Sequence, residues 1–289
     1  MRTFDGLELD VRTYGPDDVP VTVVLGHCWA VNQEEWLYQL RDLQREFGHD
    51  IRLVTWDHRG HGRSERAPRR ACTIEHLARD MGDVIDTYAG TGKLVLAGHS
   101  VGGMTMLELA EQRPALFDRV VGIALIATSS GDLSSVTLGL PEMGSWFRRQ
   151  IPRVLALRSR TLSKKARRRA PYIERMVVRR FLFGHPMRLT DAALTVEGII
   201  GTPAATMVGL YEDLMEHSRL HACKTFAGIP TDVIVGDRDL LTPVPHAAKL
   251  VDAIEGARLT VVPGAGHMLP LERDGLVSGV LVRLVRPHL

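Results

Sequence analysis

The sequence predicts an α/β protein: a mostly parallel central sheet flanked by helices, with an inserted helical cap. Two observations carry this reading. Short apolar runs alternate with segments of helical spacing, the pattern of parallel strands joined by crossover helices. The alternation stops between about residues 134 and 221, where only helical patterns occur, and then resumes. The expected units are a core made of 1–133 and 222–289 and a cap made of 134–221. At 289 residues the chain is long enough for one such core with an insertion.

Each element has its own signal. Glu8–Tyr14 alternates polar and apolar, as a half-buried antiparallel strand does. Val21–Leu25 is apolar throughout and ends at Gly26-His27, which suits a strand covered on both faces. Glu34–Glu46 has helical spacing through Trp36, Leu40 and Leu43. Ile51–Trp56 is the next strand and runs into Asp57-His-Arg-Gly-His-Gly-Arg-Ser64. Thr73–Tyr88 is helical, with Ile74, Leu77, Met81 and Ile85 on one face. Lys93–Ala97 and Val120–Ala127 read as buried strands, with a helix over Met104–Gln112 between them. After the cap come a strand at Thr231–Val235, a helix at Pro245–Glu255, a strand at Arg258–Val262 and a helix at Leu271–Leu284. No internal repeat or low-complexity stretch interrupts this order.

Composition narrows the classes. A hydrophobic content of 45% with 24% charged residues describes a globular protein with a sizeable core. The three cysteines, Cys28, Cys72 and Cys223, are odd in number and widely spaced, which argues against a disulfide framework or a zinc ribbon. The first residues lack the apolar core of a signal peptide, and a reducing cytoplasm is the expected location. The most apolar stretch, Ala192–Leu210, carries Glu197 and Pro203 and reads as broken, pocket-lining helices rather than a membrane span.

The overall charge of +2 conceals an asymmetry. Arg148–Arg180 holds thirteen Lys/Arg against the single acid Glu174, so the remainder of the chain is acidic. Such a block is a solvated surface or a docking patch for an acidic partner, such as an acyl carrier. Tyr172 is its one aromatic and no nucleic-acid motif accompanies it, which argues against nucleic acid.

The chemistry points to Gly98-His99-Ser100-Val101-Gly102, between an apolar strand and a helix. In this G-x-S-x-G arrangement the serine sits on a strained strand-to-helix turn, and neighbouring backbone comes too close for a Cβ at either glycine. A serine hydroxyl is a weak nucleophile, so an imidazole must take its proton, and a carboxylate must fix the imidazole's tautomer. Two later turns supply these. Gly236-Asp-Arg-Asp-Leu-Leu-Thr-Pro243 offers Asp239, with Asp237 as rival, and Gly264-Ala-Gly-His-Met-Leu-Pro270 offers His267. Asp132, after the Val120–Ala127 strand, is a further candidate for the acid.

With these residues in place, the chain resembles the α/β-hydrolase superfamily over its whole length, most of all its capped esterase, lactonase and cofactor-free haloperoxidase-like branch. The matching stretches are the Gly98–Gly103, Asp57–Ser64, Gly236–Pro243 and Gly264–Pro270 runs. The resemblance implies a Ser100-Asp239-His267 triad and two oxyanion donors, the backbone N–H groups of Val101 and of Trp29. Cys28 stands where the family usually has glycine, which unsettles the register of that loop. The resemblance implies no cofactor and no metal. Asp57–Ser64 is expected to be a structural loop in which Arg59 ties neighbours together. His27 and His99 are expected to be structural, and Cys28 an inert buried thiol. The expected activity is serine hydrolysis of a carboxylic ester or lactone with an apolar part facing Ile199, Ile200, Met207, Leu210 and Leu214. Alternatives are a thioesterase or acyl transferase docking an acidic carrier at Arg148–Arg180, and a hydrolase-fold ligand receptor.

Overall fold

A computed structural model describes residues 1–135 and 171–289 of the chain. The first part of the expected cap and Arg148–Ala170 of the basic block lie outside the described residues.

Seven strands form one sheet: β1 Val11–Tyr14, β2 Val21–Gly26, β3 Ile51–Trp56, β4 Lys93–His99, β5 Val120–Ile126, β6 Thr231–Gly236 and β7 Arg258–Val262. Their order is β1-β3-β2-β4-β5-β6-β7. Every pair is parallel except β1 with β3. The apolar runs form the centre because helices cover both faces, so β2, β3 and β6 are buried along their whole length. Side chains alternate across the sheet. Val24 and Leu96 face one layer with Leu77 and Met81 of α2 (Ile74–Tyr88) and Leu107 of α3 (Val101–Gln112). Val23, Leu25 and Val95 face the other, with Leu43 and Phe47 of α1 (Leu37–Phe47) and Leu281 of the helix Asp274–Val285.

The ends of several elements differ from the sequence reading, each for a local reason. The strand expected from Glu8 begins only at Val11, and Glu8 forms an isolated bridge with Arg2. The helix expected from Glu34 opens as a 3-10 turn, Gln33–Trp36, capped by the Asn32 side chain. Gln33, Glu35 and Trp36 are buried there, and the Gln33 N–H donates to Asp57 Oδ1 at 2.8 Å. Tertiary contacts therefore override the helical spacing over that turn. The final helix is split into Leu269–Glu272 and Asp274–Val285.

The loop after β3 is a buried polar knot. Arg59, fully buried, donates to both oxygens of Asp80 on α2 at 2.6 and 2.7 Å and to Asp5 at 2.9 Å. It thereby joins the loop, α2 and the N-terminal segment, the tying role read from the sequence. Burial pushes the Asp80 carboxyl up to about 6 despite Arg59. Beside it, His27, His58 and His61 pack together with no exposed surface to speak of. His27 accepts from the His58 N–H at Nε2 and donates to the Cys28 carbonyl from Nδ1, at 2.8 and 2.7 Å. His61 accepts from the Ala30 N–H and donates to the Arg59 carbonyl. These partners fix neutral tautomers. Burial, reinforced by the neighbouring imidazoles, lowers His58 to about 3; burial lowers His61 to about 4.

Between β5 and β6, which are sheet neighbours, the described part of the insert is helical: Tyr172–Val177, Leu189–Gly201 and Ala204–Glu216. Its neck is closed by an antiparallel bridge, Gly131 to Ser218, and by the Arg219 N–H on the Ser130 carbonyl at 2.7 Å. Val196 and Ile200 pack with Cys28, Val31 and Met268 of the core loops, as Ile199 does from a half-buried position. Leu210 and Leu214 instead join the large layer over α2 and α3. Among the described residues no single helix is long and apolar enough to cross a membrane. Leu189–Gly201 and Ala204–Glu216 pass that test only together, and they are bent by 98° where Thr202 and Pro203 break them.

Candidate active site

Ser100 occupies the turn between β4 and α3 with φ 53° and ψ −113°, a conformation costly for any residue with a Cβ. The turn is held from both sides. The Ser100 N–H donates to the Ile126 carbonyl at 2.9 Å, and the Ser100 carbonyl accepts from Thr128 Oγ1 at 2.6 Å. Glycine is required on either side. A Cβ at Gly98 would lie 2.4 Å from the Gly103 nitrogen, and one at Gly102 would lie 2.2 Å from the Gly26 carbonyl oxygen. The second approach presses α3 against the end of β2, so the elbow and the loop carrying Cys28 and Trp29 form one rigid corner.

Asp239 and His267 come together beyond the ends of β6 and β7. His267 Nδ1 lies 2.8 Å from Asp239 Oδ2, with both side chains fully buried. Asp239 Oδ1 accepts from the N–H groups of Leu241 and Thr242 at 2.8 and 3.0 Å, and Oδ2 also accepts from Thr242 Oγ1 at 2.8 Å. Burial alone would raise this carboxyl; His267 and these donors outweigh it and hold it below its usual value. The rival acids are used elsewhere. Asp237 braces the turn by accepting from the Gly264 N–H at 2.8 Å. Asp132 pairs with Lys249 at 2.7 Å near the surface.

The thiol of Cys28, read from the sequence as an inert buried group, is placed inside the site. Its Sγ lies 3.8 Å from His267 Nε2 and 3.5 Å from the Trp29 carbonyl oxygen. It is buried, as expected, and burial raises its pKa well above that of a free thiol. It takes this position because the loop leaves β2 toward the His267 turn, a direction that spacing along the chain does not reveal. Trp29 follows it, packing against the layer over α2 and α3 and against the cluster of Val196 and Ile200, with its ring 6.2 Å from the Tyr211 ring centroid.

Two carboxylates that the sequence did not single out organise the site. Glu35 is buried and accepts from the Cys28 N–H at 2.9 Å, while its other oxygen lies 3.1 Å from His99 Nδ1. His99 Nε2 in turn meets the His267 carbonyl at 2.9 Å. One carboxylate thus fixes the loop after β2, the residue before Ser100 and the backbone of His267. Burial would lower the His99 pKa; the Glu35 charge outweighs it and raises it. Glu272 gathers the N–H groups of Gly184, Gly266 and Met268 at 2.7, 3.1 and 3.1 Å and so closes the His267 turn against the insert. Its place at the end of the Gly264–Pro270 run was the available signal. For Glu35 the signal was weak, because it reads as one of two acids opening a helix.

The comparisons with known proteins bear on the family and the fold. Residues 21–274 match the family model described as the alpha/beta hydrolase fold. The chain belongs to that family. Among α/β hydrolases, a bifunctional esterase/perhydrolase of Acinetobacter calcoaceticus is 34% identical over 101 residues, 35% of this chain and 34% of that one. The match therefore spans about a third of that relative. The pimeloyl-[acyl-carrier protein] methyl ester esterase of Nitrosomonas europaea is 25% identical over 272 residues, covering 90% of this chain and 92% of its own. A solved structure of a thermophilic esterase from Thermogutta terrifontis superimposes with a TM-score of 0.75 at 23% identity, over 98% of this chain and 95% of the other, which supports the fold.

Proposed function

We propose that this α/β hydrolase is a serine esterase or lactonase that works through an acyl-enzyme on Ser100. The observation that carries the reading is the buried 2.8 Å contact of His267 Nδ1 with Asp239, because it leaves Nε2 as the basic nitrogen on the side of Cys28, whose loop leaves β2 where β2 packs against the Ser100 elbow. In the proposed reaction His267 takes the Ser100 proton as the oxygen attacks the carbonyl, returns it to the leaving alkoxide, and then activates water to release the acyl group. The N–H groups of Val101 and Trp29 hold the oxyanion. Val101 opens α3, where the helix dipole favours negative charge. The Cys28 N–H is already committed to Glu35, which favours Trp29 as the second donor. Ile199 and Ile200, next to Val31 and Met268, suit an apolar substrate portion. This chemistry needs no cofactor.

The test is a fluorophosphonate label followed by a panel of p-nitrophenyl esters, lactones and thioesters. The expected result is one label per chain, mapped to Ser100, with turnover of esters or lactones. A folded chain that resists the label, or that binds esters tightly without turning them over, would count for a ligand receptor instead.

A second reading concerns how the substrate arrives. Arg175, Arg179 and Arg180 are exposed beside a surface cleft of about 520 Å³ that Tyr172 and Met176 also line. The Nitrosomonas relative's name places its ester on an acyl carrier. If an acidic carrier docks here, changing these three arginines to Glu raises KM for a carrier-borne ester at least tenfold and leaves p-nitrophenyl acetate unaffected. Equal KM values for the carrier-borne ester would remove the docking role.

A further inference from the structure

We propose that Cys28 and His267 form an inhibitory site for a thiophilic divalent cation of the zinc class, seated on the His267 nitrogen that the proposed reaction needs. Among the described residues, Cys28, His99 and His267 bring one potential ligand atom each within 4.8 Å of one another. The set reduces to two ligands on inspection. His99 has both ring nitrogens engaged, one by Glu35 and one by the His267 carbonyl, so it supports the site rather than binding the ion. The remaining pair is well placed. Cys28 Sγ and His267 Nε2 are 3.8 Å apart, and tetrahedral zinc with its usual bond lengths needs roughly 3.6 Å between sulfur and nitrogen. Water would take the further positions.

The surroundings favour the ion for reasons separate from the reaction. A histidine that binds zinc through one nitrogen is commonly oriented by a carboxylate on the other, and Asp239 holds His267 Nδ1 in that way at 2.8 Å. The thiol is fixed from behind, since its backbone N–H is anchored on Glu35 and its sulfur lies 3.5 Å from the Trp29 carbonyl. Binding forms an M–S bond and an M–N bond and releases the thiol proton to solvent. His267 Nε2 is then occupied and cannot accept the Ser100 proton, so the consequence is inhibition. Sequence spacing could not show the pair, because its members are 239 residues apart.

The effect on turnover rests on the proposed function; the binding does not, and two readouts keep them apart. The first is absorption. Titrating the intact chain with cobalt(II) is expected to produce a thiolate-to-cobalt charge-transfer band in the near ultraviolet. That band should be lost in Cys28→Ala and in Cys28→Ser, and kept in Cys72→Ser, whose thiol lies elsewhere. The second is hydrolysis of a p-nitrophenyl ester under zinc chloride, with each variant normalised to its own metal-free rate. Wild type should lose at least tenfold of its activity and recover it with a chelator, whereas both Cys28 variants should stay within twofold. No charge-transfer band in wild type, or equal zinc inhibition in the Cys28 variants, overturns the site. A band at Cys28 in a chain that hydrolyses nothing keeps the site and overturns the proposed reaction.

Discussion

Replacing Ser100 by Ala is expected to lower kcat/KM for an ester by about 10⁴-fold or more, and replacing Asp239 by Asn by about 10⁴-fold. The second value follows from the hydrogen bonds. An Asn amide has one acceptor and one donor end. At the Oδ1 position the structure presents two N–H donors, from Leu241 and Thr242, so the carbonyl end must stay there. The NH₂ end then faces His267 Nδ1 and turns it into an acceptor. The imidazole proton is forced onto Nε2, the nitrogen that must be free to deprotonate Ser100. The fold should be unaffected, because packing and both backbone bonds survive. The double variant should be no slower than Ser100→Ala alone, since groups that act as a unit do not contribute additively. Steady-state kinetics with thermal melts to confirm folding checks all three. An Asp239→Asn variant within tenfold of wild type would remove Asp239 from the proposed triad.

Acidification should unfold the protein near pH 4.5 to 5.5. The cause is the knot of His27, His58 and His61. Burial first, then repulsion between neighbouring imidazoles, holds His27 well below its usual value and His58 at about 3; burial holds His61 at about 4. The sign is fixed by which state binds more protons. Below about pH 6.5 the unfolded chain protonates these rings and the folded chain does not, so stability falls as the pH drops. Each ring contributes about 1.4 kcal/mol per pH unit, roughly 5 kcal/mol for His58 and His61 by pH 4.5, and His27 and His217, both lowered by burial, act in the same direction. Groups held above their usual values act in opposition, Asp57, Asp213 and Glu272 among them. Asp80, held at about 6, takes up a proton in the folded state and returns roughly 2 kcal/mol. His99, whose pKa is raised, adds stability below its unfolded value. The net loss, several kcal/mol, is comparable to the whole stability of a modest domain. Near-ultraviolet circular dichroism against pH reads the transition. A His61→Gln variant should move its midpoint to lower pH if the variant folds at neutral pH. An unchanged melting temperature from pH 7 to 4.5 would refute the account.

The sheet was legible because its strands are apolar on both faces and its turns need glycine. Gly98 and Gly102 are each dictated by a backbone contact that no other residue could make. Asp239 and Asp237 could be ranked but not separated from the sequence, since the choice depends on where Thr242 and Leu241 point their donors. Glu35 escaped notice for a different reason. Its burial is caused by His99, 64 residues away, and its neighbour Glu34 has the same local signature but forms a part-buried pair with Arg12. Cys28 was noticed as a departure from pattern, yet its meaning lies in a contact with a residue near the other end of the chain.

The Gly131–Ser218 bridge has a consequence for how this enzyme could diversify. The chain leaves the sheet after β5 and re-enters it at β6 through a single staple, while Ser100 lies before that exit and Asp239 and His267 lie after the return. The proposed triad therefore belongs to the sheet scaffold, and the excursion between its members is closed at its base. Lengthening a closed excursion costs little, about 0.6 kcal/mol for each doubling. Recombination at the staple can then exchange the helices beyond Leu182–Gly184, provided that this segment, which accepts the His267 N–H at 2.8 Å and donates to Glu272, is kept.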